Sequence, residues 1–207
     1  MAKPHKFWDR LAKIYSKQQV ADEDAYQKKL QVTRDYFRPD MEVLEFGCGT
    51  GSTAISHAPY VKHIQAVDFS SKMIGIAQAK AKTNNIANIT FQQASIDDLD
   101  TADQTYDTVM AHNVLHLLEN KEDVIAKVYR LLKPGGLFVS GTACNGDGYK
   151  LLKIILPIGQ FLGLLPVLKF FTSEDLKNSL THVGFKIDHQ WTPGPGKSVF
   201  IVAKKEG

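Results

Sequence analysis

The chain has 207 residues, of which 43% are hydrophobic and 23% charged, so it has enough apolar material for one core and too little charge for a disordered chain or a coiled coil. The net charge of +3 is spread over interleaved acids and bases, which excludes nothing about small ligands but lacks the basic stripe of a nucleic-acid binder. Two cysteines, Cys48 and Cys144, are too few for a disulfide framework or a four-ligand zinc site, so a reducing compartment and no metal are expected. The first ten residues lack the apolar core of a secretory signal, and no uninterrupted apolar run of about 20 residues follows, so we expect a cytoplasmic protein.

Taken in chain order, residues 1–40 read as an N-terminal helical cap, with Phe7, Trp8 and Tyr15 in its first helix. A first strand, Glu42 to Phe46, runs into a glycine-rich turn and a short helix from about Ser52. His63 to Asp68 is a second strand. Ser70 or Ser71 then caps a helix whose apolar face, Met73, Ile74, Ala77 and Ala81, repeats with a 3.6-residue period and ends at Asn84 and Asn85. Asn88 to Gln92 and Tyr106 to Ala111 are the third and fourth strands. Asn120 is placed to cap a helix that buries Val124, Val128, Leu131 and Leu132, and Lys133-Pro-Gly-Gly136 stops it.

Leu137 to Ser140 is fully apolar, as expected of a strand with helices on both faces of its sheet. Thr172 caps a further helix, Gly184 ends it, and two strands, Phe185 to Trp191 and Ser198 to Ala203, meet without a helix between them. Such a pair must be antiparallel, because a parallel crossover needs about a dozen residues. The predicted fold is therefore a single α/β domain over residues 1–207. It is a Rossmann-like, doubly wound sheet of seven strands, mostly parallel with an antiparallel C-terminal hairpin strand and helices on both faces.

The run Val43-Leu-Glu-Phe-Gly-Cys-Gly-Thr-Gly51 carries most of the chemistry. Glycines at 47, 49 and 51 allow a ligand to approach the backbone, but Ser52 stands where the dinucleotide fingerprint has its third glycine. Glu45 beside the loop would repel a pyrophosphate and attract an ammonium group. Asp68 ends the second strand, where a carboxylate can accept two hydrogen bonds from a ribose. A nucleoside with a cationic tail satisfies both carboxylates, and S-adenosylmethionine is such a molecule.

These residues also carry a resemblance. Glu45-Phe-Gly-Cys-Gly-Thr-Gly51, Ala66-Val-Asp-Phe-Ser70 and Leu131-Leu-Lys-Pro-Gly-Gly136, in this order, are similar to motifs of the class I S-adenosylmethionine-dependent methyltransferases of small-molecule type. The resemblance implies that Gly47, Cys48, Gly49 and Gly51 contact the methionine part, with Glu45 near its ammonium. By the same resemblance Asp68 holds the ribose and Phe69 lies against the adenine, with Met73 also at the cofactor. Ser95 occupies the position where the family often has an acid, so a weaker contact or help from the Ile96 N–H is expected there. Tyr15 either bonds the methionine carboxylate, faces the acceptor, or simply anchors its helix.

His112 and His116 flank Asn113-Val-Leu115 after the fourth strand. Each is either a structural histidine or, where the acceptor arrives protonated, a general base; His112 also stands where the family contacts its cofactor. Methyl transfer from a sulfonium needs no covalent step, so Cys48 is expected to fill space and not to act as a nucleophile.

Residues 145–171 form an insertion whose part from Leu151 to Phe171 has 14 apolar residues among 21, with Lys153 and Lys169. It reads as an apolar lid, with a dimer contact, extra core covering or a peripheral membrane contact as alternatives. The expected activity is methylation of a small lipophilic acceptor, such as a quinone, phenol, thiol or lipid headgroup. A nucleic-acid methyltransferase is disfavoured, because the Asn/Asp-Pro-Pro-aromatic motif is replaced by His112-Asn-Val-Leu-His116. A cofactor-binding sensor or scaffold without turnover is the alternative outside the enzymes.

Overall fold

The computed structural model describes residues 4–18, 20–144, 168–194 and 197–207. Most of the proposed insertion at 145–171 lies outside the described residues; Leu168 to Phe171 are within them, and Phe171 is buried in the core.

Seven strands form one sheet: β1 (Glu42–Phe46), β2 (His63–Asp68), β3 (Ile89–Gln93), β4 (Tyr106–His112), β5 (Leu132–Thr142), β6 (Phe185–Trp191) and β7 (Val199–Lys205). Their order is β3-β2-β1-β4-β5-β7-β6. The first five pair in parallel, and β7 runs antiparallel to both β5 and β6. The hairpin inferred from the missing crossover helix is thus present, but its second strand inserts between the first and the rest of the sheet. The strand order reverses at β1 and β4, whose crossovers lead off in opposite directions across the sheet, and this opens a crevice at their carboxyl ends.

Alternating residues of the strands feed two cores. Leu44, Phe46, Val109, Phe138 and Ile201 face α5 (Lys121–Leu131) and α6 (Ser173–Val183). Val43, Ile64, Met110, Val139 and Phe200 face the side covered by α3 (Ser52–His57), with Ile74 of α4 (Ser71–Thr83). Two further helices, α1 (Pro4–Lys17) and α2 (Glu23–Arg34), precede the sheet.

The capping residues behave largely as their chemistry dictates. The Ser70 hydroxyl accepts from the Met73 N–H, Thr172 and Asp175 form a reciprocal capping box, and Gly184 ends α6 in the left-handed region. Asn120 differs. It sits at the start of α5 but makes no cap bond; its amide donates instead to Asp97 Oδ1 at 3.0 Å. A tertiary acceptor for its NH2 group has turned the side chain away from the local N–H donors it would cap.

Lys133-Pro-Gly-Gly136 differs too. The strand begins at Leu132, before this run, and the register slips between Tyr106↔Leu132 and Thr108↔Leu137. The four residues therefore form a bulge within β5 that lets the Lys133 ammonium reach Asp107 Oδ2 at 2.8 Å.

Candidate active site

A cleft of about 1140 Å³ lies over the carboxyl ends of β1, β2 and β4. Its floor is the turn after β1, where three glycines have positive φ: Gly47 at 64°, Gly49 at 53° and Gly51 at 75°. They serve different ends. A Cβ on Gly47 would lie 2.2 Å from Val114 Cγ2, and one on Gly51 would lie 2.8 Å from both Ala77 Cβ and Phe91 Cε1. A Cβ on Gly49 would meet nothing within 4 Å. Gly49 is thus the position left open for a ligand, whereas Gly51 closes the packing of α4 and β3 against the turn. Gly51 itself does not line the cleft.

The turn is tied to β2 by two bonds. Cys48 N–H donates to the Val67 carbonyl at 3.0 Å, and Gly49 N–H donates to Asp68 Oδ2 at 2.9 Å. The other Asp68 oxygen accepts from Ser70 N–H at 2.9 Å. Each oxygen keeps a lone-pair direction for a hydroxyl, so the carboxylate is oriented and still able to accept. Burial pushes the Asp68 pKa up, against the pull of these two N–H donors.

Glu45 is 2% exposed, and its Oε2 has no partner among the described residues. Burial raises its pKa to about 8; a bond from the Ala54 backbone opposes the rise, and the nearby Asp68 charge adds to it. A buried carboxyl with an orphan oxygen on the wall of a cleft is a receptor for a cation, which would restore its ionised form. Cys48 is buried between these acids and its thiol is held well above its usual pKa, first by burial and then by Glu45 and Asp68. It is a protonated thiol and not a nucleophile.

Phe69, Met73, Ser95 and Ile96 all line the same cleft. Ser95 has little to offer there, because its hydroxyl donates to Asp98 Oδ2 at 2.8 Å and accepts from Asp98 N–H at 3.1 Å. The buried Ile96 and Met73 contribute apolar surface to the cleft, which Asp97 and Asn120 also line. Tyr15 lines the cleft from α1, edge-on to Trp8 at 6.3 Å between ring centres.

The two histidines part company. His112 lines the cleft at the end of β4, with Nε2 buried and unpartnered and its pKa lowered to about 4 by burial and by Lys29. His116 does not line it. Its carbonyl accepts from Lys169 N–H at 2.8 Å, and burial lowers its pKa. It sits within the short helical turn Leu115–Leu117.

Three contributors were not singled out from the sequence. Asn113 adopts φ 57° and its N–H donates to the Gly141 carbonyl at 2.6 Å; asparagine after a strand is a usable signal for the left-handed region. Lys80 donates to Thr50 Oγ1 at 2.9 Å and Ser52 Oγ at 3.1 Å, clamping the far side of the glycine turn. Asp9 of α1 accepts from the Ser70 hydroxyl at 2.6 Å. No local pattern announces either of the last two.

The sequence model of a family described as a methyltransferase domain matches residues 43–136, which span the glycine turn, Asp68, His112 and the β5 bulge. The malonyl-[acyl-carrier protein] O-methyltransferase of Priestia megaterium is 30% identical over 158 residues, covering 73% of this chain and 56% of that protein. The ubiquinone biosynthesis O-methyltransferase of Rickettsia conorii is 32% identical over 126 residues, covering 61% and 43%. The chain thus spans about half the length of these curated relatives. Among solved structures, YcgJ of Bacillus subtilis superposes with a TM-score of 0.72 at 16% identity over 87% of this chain and 99% of that one, a likeness of fold. The matched family and the shared architecture agree with the cation-seeking carboxyl at the glycine turn: residues 43–136 of the chain are a methyltransferase domain, and the fold around them is that of S-adenosylmethionine-dependent methyltransferases.

Proposed function

We propose that the chain transfers the methyl group of S-adenosylmethionine to an oxygen of a small lipophilic acceptor. The observation that carries the cofactor reading is the buried, unpartnered Glu45 oxygen beside the open Gly49 backbone. A phosphate-bearing nucleotide would place its charge against that carboxyl.

The residues fit the cofactor part by part. Glu45 and the backbone of Gly47, Cys48 and Gly49 would hold the methionine portion, with Tyr15 closing over it. Asp68 would take the ribose hydroxyls, and Phe69, Met73 and Ile96 would enclose the adenine. The bound cofactor supplies an electrophilic methyl group on a positively charged sulfur.

The chain's remaining task is to hold an acceptor in line and exclude water. Phe7, Trp8 and Tyr15 of α1 roof the cleft with aromatic surface. His112 is uncharged at neutral pH, so it does not repel the sulfonium and its ring can accept a hydrogen bond or a proton from the acceptor. So low a basicity suits an acidic acceptor, a phenol or a carboxylic acid, better than an aliphatic alcohol. Two relatives named for O-methylation, one of them in ubiquinone biosynthesis, support an oxygen acceptor and a lipophilic one.

The test is calorimetry with S-adenosylhomocysteine followed by detection of that product from S-adenosylmethionine with phenols, quinols, thiols and fatty acids. Micromolar binding and turnover confined to acidic oxygen acceptors are expected. Binding without turnover on any of them would reduce the protein to a cofactor binder, and no binding would remove the cofactor reading itself.

A further inference from the structure

The charges that alternate with other residues along the N-terminal sequence come together on one face of α1. Lys6, Arg10, Lys13 and Lys17 are spaced i, i+4, i+7 and i+11, which aligns them in a single stripe along a helix of 3.6-residue period. All four are exposed. The acid of this helix, Asp9, is turned to the body of the protein, where it accepts from Ser70 Oγ at 2.6 Å and from Lys72 N–H at 3.4 Å. That attachment, together with the buried Ala12, fixes which way the stripe faces.

Apolar side chains stand beside the cations and are not covered. Ile14 is 66% exposed, Tyr15 46% and Val20 47%, three of the four large hydrophobic residues so exposed among the described residues. The chain turns acidic only beyond them, at Asp22, Glu23 and Asp24. The stripe also borders the mouth of the cleft, since Lys6, Arg10, Tyr15 and Val20 line it.

We propose that this face of α1 docks the protein on an anionic lipid surface, with the cations at the headgroups, Ile14 and Val20 in the interfacial layer, and the cleft mouth held against the membrane. Charge complementarity selects an anionic surface, and exposed aliphatic groups beside the stripe select a lipid one; a nucleic acid would use the cations but leave Ile14 and Val20 without a role. No helix among the described residues is long and apolar enough to cross a membrane, so the contact is peripheral. The inference does not rest on the identity of the acceptor.

The experiment is co-sedimentation of the full chain with vesicles of phosphatidylcholine alone or with about one third phosphatidylglycerol, which needs no methyl acceptor. Binding to the mixed vesicles, weakened by salt and absent from the neutral ones, is expected. Each basic side chain near such a surface strengthens binding roughly fivefold, so Lys13→Glu with Lys17→Glu should weaken it at least about 25-fold. Ile14→Ser should weaken it severalfold at unchanged thermal midpoint. Should the charge variant fold poorly, Ile14→Trp serves instead, giving tighter binding and a blue-shifted emission with mixed vesicles only. Equal binding to both vesicle types, or binding insensitive to these substitutions, would overturn the proposal. So would RNA that displaces the vesicles while binding Ile14→Ser as tightly as the parent.

Discussion

Asp9 on α1 and Ser70 at the start of α4 share a 2.6 Å hydrogen bond, and Ser70 N–H in turn donates to Asp68. The helix over the cleft is thereby linked through one residue to the carboxylate assigned to the ribose. Asp9→Ala should release α1 and weaken S-adenosylhomocysteine binding by about tenfold or more, the equivalent of one hydrogen bond to a charged group. Calorimetry checks the affinity. Limited proteolysis should show earlier cleavage within residues 4–18 in the variant.

The glycines of the turn should separate cleanly by substitution. Gly47→Ala should cost about 2–3 kcal/mol in folding stability, from the positive φ and the overlap with Val114. Adding Val114→Ala should recover the steric part and leave the conformational part. Gly49→Ala should cost about 1 kcal/mol, since only its φ is strained, yet reduce cofactor affinity the most. Urea denaturation and calorimetry on the three variants make the comparison.

Glu45 gives the unliganded protein a pH dependence of known sign. Its pKa rises from 4.5 to about 8 on folding, so the folded state holds this proton where the unfolded chain releases it. The associated stability is complete below pH 4.5 and is lost as pH rises toward 8. Glu45→Gln should flatten that part of the profile and raise the unliganded midpoint at pH 8. A cationic ligand should expel the proton, and calorimetry near pH 7 in buffers of different ionisation enthalpy should report its release in the parent only.

His112→Gln should lower kcat by about 10²-fold or more with an acidic oxygen acceptor while cofactor affinity changes little. The reaction with His112 intact should lose rate only as pH falls toward 4, where the ring protonates. His116→Gln should retain near-parental kcat, because that ring is off the cleft. Steady-state kinetics across pH distinguish the two.

What could be read before the structure was what neighbours in sequence decide. Ser70, Thr172 and Gly184 end their helices through bonds within a few residues, and Val43 to Phe46 needs both faces buried. Asp68 and Glu45 were legible because strand ends and the glycine turn fix where they point. Asn120 takes its expected place at the start of the helix but not the expected bond, because its partner, Asp97, comes from another loop. Gly51 packs against Ala77 and Phe91, which sequence spacing does not bring together. His112 and His116 look equivalent in one dimension, and a single turn of tight helix separates their fates. The α1 stripe was hidden for the opposite reason: charges mixed in sequence are sorted only once a helix winds them.

The position of β7 has a consequence for how the chain is made. It is synthesised after every other strand, yet it lies between β5 and β6 and its Lys205 ammonium donates to the carbonyls of Tyr129 and Leu132, both at 2.8 Å. Until it emerges from the ribosome, the apolar edge of β5 from Leu137 to Thr142 stands without its hydrogen-bonding partner. During that interval a nascent chain exposes a ready template for pairing with another strand, so shielding of this edge by chaperones should govern the yield of native protein.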